Sequence, residues 1–166
     1  MRVTDPELNE VGIRLGDLLK QQGLMMVTAE SCTGGWVAKV LTDRAGSSAY
    51  VTGGLVTYSN EAKQALLGVS AETLEEHGAV SEPVVREMVA GALAASGADV
   101  AVAVSGIAGP GGATEGKPVG TVWFAWGRAG AGTEAGLAHF DGDRDQVRRQ
   151  AVSFALNGMY RFLGGN

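Results

Sequence analysis

Apolar residues occur along the chain in two alternating patterns, one with helical spacing and one as short continuous runs. The first segment with helical spacing predicts a helix that ends at Gly23 and has one buried face. That face consists of Leu8, Val11, Leu15, Leu18 and Leu19. A short β-type run over residues 24–29 follows, and the spacing then predicts a second helix over residues 31–42.

The same alternation continues to the end of the chain. Residues that favour N-cap positions open three further helices, at Ser59 or Asn60, at Ser81 before Pro83, and at Asp143. A short helix is predicted over residues 71–77. Predicted strands occupy residues 49–58, 99–104, 119–127 and 133–140, the last two joined by a Gly-rich hairpin.

This order of elements predicts the fold class. Strands separated by helices imply parallel crossovers, and the direct hairpin adds an antiparallel strand. We therefore expect an α/β fold, namely a three-layer α/β/α sandwich with a mixed, mostly parallel sheet of about five strands. Since no repeat or linker divides the sequence, residues 1–166 are expected to form a single domain.

Composition narrows the classes of function. The net charge is −5 with no run rich in Lys or Arg, which argues against nucleic acid as a partner. One cysteine and two histidines give no basis for a disulfide or a Cys/His metal site. Neither a signal peptide nor an uncharged apolar run of membrane-spanning length is present, so we expect a cytoplasmic protein without a membrane partner.

Polar and glycine residues cluster after three of the predicted strands, at residues 30–35, 57–63 and 105–112. Ligands of open α/β sheets gather at the carboxyl ends of the strands. If these strands are parallel neighbours, the three groups converge on one crevice.

Ser31 stands where the first strand meets the second helix. A hydroxyl at this point can act as a nucleophile, with nearby backbone N–H groups binding a developing oxyanion. It can equally be a helix cap.

A nucleophilic Ser31 needs a base, and neither His77 nor His139 lies at a favourable strand end. Lys63 is better placed, because an amine in a dry crevice loses part of its preference for the charged form. The Tyr58 hydroxyl could relay the proton between serine and lysine. The alternative is a packed Tyr58 and a solvated Lys63.

The remaining candidates also admit two interpretations. Glu30 could orient Lys63, or it could be a carboxylate stabilised by the following helix N-terminus. Cys32 is either a small buried residue or a thiolate at a helix start. Thr33, Gly34 and Gly35 would let a phosphate or carbonyl approach closely.

Residues 106–118 are the longest segment without predicted structure. Their glycines could hold an anion, with Thr114 and Lys117 adding a hydroxyl and a charge, or they could form a wide turn. Arg144 and Arg148, four residues apart on the last helix, read as a solvated face.

Several motifs together resemble the CinA C-terminal family, over about residues 8–162. They are AESCTGG at 29–35, GSS at 46–48, GGLVTYSNEAK at 53–63, LGV at 67–69, GAVSE at 78–82, SGIAGPGG at 105–112, KPVGTV at 117–122, FDGDR at 140–144 and Val147-Arg148. The sequence departs from the usual family pattern in its Gly-rich loop, where Gly116 replaces an acidic residue before Lys117.

The resemblance implies a stand-alone nicotinamide-nucleotide amidohydrolase without metal or cofactor. Such an enzyme deamidates nicotinamide mononucleotide to nicotinic acid mononucleotide in pyridine-nucleotide recycling. By motif, Ser31 would be the nucleophile, with Tyr58 and Lys63 activating it and N–H groups around Thr33 and Gly34 forming the oxyanion hole. The nucleotide-binding candidates are Glu30, Thr33, Gly34, Gly35, Ser105, Gly106, Gly109, Gly111, Gly112 and Thr114.

Two points stay open at this stage. The alternative function is a pyridine-nucleotide-binding module without catalysis, which would bind the nucleotide and not turn it over. The expected partners are a small nucleotide substrate and a second copy of the chain, since apolar aromatic strands and Gly-rich hairpins favour a homodimer.

Overall fold

A computed structural model describes residues 2–166. The helices are α1 (Asp5–Gln22), α2 (Trp36–Thr42), α3 (Asn60–Leu67), α4 (Ala71–His77), α5 (Glu82–Ser96) and α6 (Arg144–Phe162). The strands are β1 (Met26–Glu30), β2 (Val51–Val56), β3 (Val100–Gly106), β4 (Thr121–Arg128) and β5 (Thr133–His139), and a 3-10 turn spans Ser47–Ala49.

The five strands form one mixed sheet in the order β2-β1-β3-β4-β5. β1 pairs in parallel with both β2 and β3, whereas β4 is antiparallel to β3 and β5. β4 is thus the one strand of this sheet that runs against the others. This topology places the carboxyl ends of β1, β2 and β3 side by side.

Helices cover both faces of the sheet, which confirms the three-layer α/β/α prediction. Alternate residues of β3 separate the two cores: Val102 packs with residues of α1, α2 and α6, and Ala103 with residues of α3, α4 and α5. Because both faces are covered, β3 is buried through almost its whole length.

Two predicted boundaries were wrong at the edge that carries the polar clusters. The second helix begins at Trp36 and not at Ser31, because Gly34 and Gly35 adopt left-handed φ values of 59° and 97° that interrupt a helix. Strand β2 ends at Val56, two residues before Tyr58. Both differences lengthen the connections that leave the sheet at this edge.

Helix α3 lies close against α5. A Cβ at Gly91 of α5 would clash with the Leu67 carbonyl at the end of α3, so only glycine allows this approach. Ser59 caps α3 by accepting from the Ala62 N–H. The helix is thereby held with Lys63 facing the sheet, where its side chain is buried.

Among residues 2–166, none of the helices combines the length and the apolar character needed to cross a bilayer.

Candidate active site

Ser31 directly follows β1 and is held to the sheet by its backbone. Its N–H donates to the Val104 carbonyl of β3 at 3.0 Å, so the ladder between β1 and β3 extends to the serine. The residue is 8% exposed. The hydroxyl therefore lies at the carboxyl edge of the sheet, as the strand-end pattern predicts.

The Lys63 amine lies beside this hydroxyl. Its Nζ donates to Ser31 Oγ at 3.0 Å, to the Thr57 carbonyl at 2.7 Å and to the Tyr58 carbonyl at 3.2 Å. Three acceptors match the three protons of an ammonium group. When one proton leaves, the two carbonyls can retain the other two, and the nitrogen lone pair is left to face Ser31.

Burial changes the protonation of Lys63. Because the side chain is only 1% exposed, desolvation lowers the pKa of its amine from 10.5 to about 8. The structure contains no carboxylate hydrogen-bonded to this nitrogen among the described residues. An appreciable fraction of the amine is thus unprotonated near neutral pH, which a general base requires.

Tyr58 does not take the relay position between serine and lysine. Its side chain is 66% exposed, and its hydroxyl lies 3.5 Å from an Nη atom of Arg144. Since Lys63 reaches Ser31 directly, the predicted phenol relay is wrong. What Tyr58 supplies to Lys63 is its backbone carbonyl.

The Glu30 carboxylate is fully buried and engaged in the fold. It accepts from the Thr28 and Thr33 hydroxyls and from the N–H groups of Gly35, Val37 and Ala38. Glu30 is therefore the carboxylate at the N-terminus of α2 that the second interpretation describes. The prediction that it binds substrate was wrong.

Thr33 and Gly35 are likewise occupied within the protein. The Thr33 side chain is fully buried and donates to Glu30 at 2.7 Å, and the Gly35 N–H donates to the same oxygen. Neither group is available to a ligand in this arrangement.

The Ser31–Gly35 turn leaves only part of the predicted oxyanion hole available. The Gly34 N–H is already bound to the Ser31 carbonyl at 3.1 Å. Within residues 2–166, the N–H groups of Cys32 and Thr33 donate to no acceptor. Of these two residues, Cys32 borders the cavity at Ser31, so its N–H is the better candidate.

The Cys32 thiol is not a competing nucleophile. Burial raises its pKa to about 11, and the nearby Arg148 charge only partly opposes this effect. At neutral pH the thiol is therefore protonated, in agreement with a small buried residue.

A cavity of about 240 Å³ opens at Ser31. Its lining comprises Ser31, Cys32, Tyr58, Lys63, Ala79, Val80, Ser105, Gly106, Ala108 and Arg144. All three polar clusters of the sequence contribute, which confirms that they converge on one crevice. Ala79 and Val80 were missed because small apolar residues carry no chemical signal.

The glycine-rich loop reaches this cavity only at its beginning. Ser105 and Gly106 line the cavity, and Gly109 contributes its carbonyl to Arg144. Gly111, Gly112 and Thr114 are exposed and lie outside the lining, so the structure does not place them at the ligand as predicted. Lys117 donates to the His77 carbonyl at 2.7 Å and fastens the loop to α4.

Arg148 is half-buried and does not belong to a solvated face, whereas Arg144 is exposed as expected. Arg144 donates to the Gly109 carbonyl at 2.8 Å and borders the cavity beside Tyr58. Arg148 donates to the carbonyls of Cys32 and Thr33 in the Ser31–Gly35 turn. Helical spacing alone could not reveal these contacts, because both partners of each arginine are distant in sequence.

The described part of the chain brings together no group of three or more His, Cys, Asp or Glu side chains suited to a metal.

Comparison with known proteins assigns the chain to a family. The sequence model of the CinA C-terminal domain matches residues 9–163. The chain belongs to the CinA C-terminal domain family. The motifs identified from sequence thus fall in one continuous family domain.

Relatives extend over nearly the whole chain. The nicotinamide-nucleotide amidohydrolase PncC of Escherichia coli K12 is 57% identical over 96% of both chains. A putative competence-damage inducible protein of Symbiobacterium thermophilum is 58% identical over 91% of this chain, which corresponds to 37% of that protein.

Solved structures of the family share the fold. The competence damage-inducible protein A from Klebsiella pneumoniae superimposes with a TM-score of 0.91 at 46% identity, covering 94% of this chain and 96% of that one. The competence/damage inducible protein CihA from Agrobacterium tumefaciens gives a TM-score of 0.91 at 43% identity, covering 98% and 99%.

Proposed function

We propose that this protein is a nicotinamide-nucleotide amidohydrolase that converts nicotinamide mononucleotide to nicotinic acid mononucleotide and ammonia. The observation that carries the proposal is the direct 3.0 Å contact between the buried Lys63 amine and the Ser31 hydroxyl inside a cavity. The name of the Escherichia coli relative, 57% identical over 96% of the chain, supports the substrate class.

In the first half of the reaction, Ser31 attacks the carboxamide carbon. Neutral Lys63 takes the proton from Oγ as the new C–O bond forms, and the carbonyl oxygen becomes an oxyanion that the Cys32 N–H can bind. Lys63 then gives that proton to the carboxamide nitrogen. The C–N bond breaks, ammonia leaves, and an ester joins the nicotinoyl group to Ser31.

The second half regenerates the enzyme. Neutral Lys63 takes a proton from a water molecule, whose oxygen attacks the ester carbon. Breakage of the ester bond returns the proton to Ser31 Oγ and releases the acid. One residue thus serves as base and acid in both halves, which the two fixed carbonyl partners of Nζ favour by holding the nitrogen in place.

The cavity suggests how the substrate is oriented. Its volume, about 240 Å³, suits a pyridine carboxamide better than a whole nucleotide. We place the ring inside, with Ser105 beside it, and the ribose phosphate at the mouth. There Arg144 supplies a guanidinium, which pairs well with phosphate oxygens, and Tyr58 supplies an exposed aromatic face.

The experiment measures ammonia release from nicotinamide mononucleotide. The wild type is expected to turn over, and Ser31→Ala to lose activity by at least about 10³-fold, since the nucleophile is removed. Ser153→Ala is the matched control, because that hydroxyl lies on α6 and, among residues 2–166, has a hydrogen bond only with Asn157 of its own helix. Undiminished activity of Ser31→Ala would remove Ser31 from the reaction.

A calorimetric titration distinguishes the alternative of a binding module. Tight binding of the nucleotide by the wild type without any ammonia release would overturn the catalytic proposal. Measurable turnover that Ser31→Ala abolishes would overturn the alternative.

A further inference from the structure

Arg148 binds the backbone of the Ser31–Gly35 turn, although it lies in a distant part of the sequence. Its Nε donates to the Cys32 carbonyl at 2.9 Å, and an Nη atom lies 3.4 Å from the Thr33 carbonyl. The guanidinium also lies over the Trp36 ring, 5.7 Å from its centroid. The arginine comes from α6, 116 residues after Cys32.

With these bonds, three successive carbonyls of the turn each accept a hydrogen bond. The Ser31 carbonyl accepts from Gly34, the Cys32 carbonyl from Arg148, and the Thr33 carbonyl from Trp36 and Arg148. In a planar trans peptide the C=O and N–H bonds point in opposite directions. The Ser31 carbonyl therefore fixes the Cys32 N–H, the Cys32 carbonyl fixes the Thr33 N–H, and the Thr33 carbonyl fixes the Gly34 N–H that binds the Ser31 carbonyl.

Of these carbonyls, that of Cys32 receives its hydrogen bond from a side chain alone. Ser31 and Thr33 have backbone donors from within the turn or the start of α2. Removal of the guanidinium would thus free the peptide that links Cys32 to Thr33, next to the candidate oxyanion donor. The Thr33 carbonyl would lose one of its two donors and keep only the Trp36 N–H.

Gly34 lies beside the Arg148 guanidinium. A Cβ at this position would lie 3.1 Å from an Nη atom of Arg148, in addition to the strain of a left-handed φ of 59°. That contact is tight but falls on the flexible end of the arginine, so the left-handed φ is what requires glycine here. This explains the glycine better than ligand contact, because its N–H is already bound.

We infer that Arg148 is a positioning residue: it holds the carbonyls of Cys32 and Thr33, and through the Thr33–Gly34 peptide, whose N–H binds the Ser31 carbonyl, it keeps the Cys32 N–H aimed at the oxyanion formed on the substrate. The inference rests on the proposed deamidase function. It assigns Arg148 no contact with the substrate, in contrast to Arg144, which borders the cavity.

The test compares Arg148→Gln with Arg149→Gln. The neighbouring Arg149 is a matched control, because its guanidinium also lies over Trp36, at 5.0 Å, but pairs with Asp5 and Asp145 and not with the turn. Loss of an oxyanion donor itself reduces kcat by about 10²–10³-fold, so loss of its support is expected to reduce kcat by about 10–100-fold. KM and the pH midpoint of kcat should stay close to the wild-type values in both variants.

Three results would overturn the inference: equal kcat in the two glutamine variants, a raised KM with unchanged kcat in Arg148→Gln, or a shifted pH midpoint. The second would mean that Arg148 binds substrate, and the third that it acts on Lys63. If the wild type releases no ammonia, the proposed function fails instead. Wild-type turnover therefore separates the two failures.

Rescue experiments keep the inference testable if Arg148→Gln folds poorly. Arg148→Lys can donate to one carbonyl and should recover part of kcat. Added guanidinium should raise kcat of Arg148→Ala at concentrations that leave its melting temperature unchanged, while Arg149→Ala should not respond. Equal responses of these two alanine variants would contradict the positioning role.

Discussion

The Lys63 amine donates directly to the Ser31 hydroxyl, with no other side chain between the two. The residues lie 32 positions apart and leave the sheet from the neighbouring parallel strands β1 and β2. Their contact makes the titration of Lys63 the central variable of the site.

The first prediction concerns the pH dependence of the reaction. Neutral Lys63 is the proposed base, and burial lowers its pKa to about 8. We expect log(kcat/KM) for nicotinamide mononucleotide to rise by about one unit per pH unit at acidic pH and to level off near pH 8. A steady-state pH profile checks this, and a rate that falls with pH over the same range would contradict a neutral amine.

The second prediction concerns stability. Between pH 8 and 10.5, Lys63 is mainly deprotonated in the folded protein and protonated in the unfolded chain. The unfolded state therefore binds more protons, and stability rises with pH through this window. Relative to Lys63→Met, the wild type should gain up to about 3 kcal/mol in its free energy of unfolding between pH 8 and 10.5.

Urea denaturation of both proteins across this pH range measures the difference. Lys63→Met removes the titrating group and should also be inactive, whereas other titrating groups are common to the two proteins. A constant difference between the variants at all pH values would contradict the lowered pKa of Lys63.

The third prediction concerns Arg144 at the mouth of the cavity. If its guanidinium binds the phosphate, Arg144→Gln should raise KM for the mononucleotide by about 10–100-fold, as expected for a charge-assisted hydrogen bond. Activity on the riboside, which has no phosphate, should change little. Arg86→Gln is the control, because Arg86 lies on α5 and pairs with Glu82.

Parallel losses on mononucleotide and riboside would instead assign Arg144 a structural role, through its bond to the Gly109 carbonyl. The ratio of the two KM values is therefore the measurement that decides between these roles.

The fourth prediction concerns Glu30. In Glu30→Gln an amide NH₂ replaces one carboxylate oxygen, and both oxygens face backbone N–H donors of α2 or the residue before it. At least one buried donor loses its acceptor, so we expect a loss of about 1–3 kcal/mol in the free energy of unfolding. Glu87→Gln is the comparison, since Glu87 is a partly buried carboxylate with fewer acceptor bonds.

Glu87 accepts from the Ser70 N–H and from the Thr73 hydroxyl. An amide can keep the first bond and donate to the hydroxyl in place of the second, so Glu87→Gln should cost less than about 1 kcal/mol. Equal losses in the two variants, measured by urea unfolding, would argue against the special role of Glu30.

The sequence was sufficient to predict the elements, the mixed sheet and the meeting of three strand ends, because periodicity and caps are local signals. It also placed Lys63 beside Ser31, since both lie just after parallel strands. The Tyr58 relay was wrong because β2 ends two residues earlier than its apolar pattern indicates. The dimer and the cytoplasmic location stay predictions.

The roles of Glu30 and Arg148 show where sequence reasoning stops. The helix N-terminus was one of two interpretations of Glu30, and only the folded α2 supplies the N–H donors that decide between them. The Arg148 contacts depend on how α6 packs against the Ser31–Gly35 turn, which is more than a hundred residues earlier in the sequence. No local sequence pattern predicts a contact between segments so far apart in the chain.

Strand β2 forms one margin of the sheet, paired on a single side, and it leads into the segment that carries Lys63. A margin of this kind opens at a lower free energy than the middle of a sheet. Transient unpairing of β2 would separate the Lys63 amine from Ser31 while β1, β3 and β4 stay paired. The proposed activity thus depends on an edge strand. On warming, activity should be lost at a lower temperature than global unfolding.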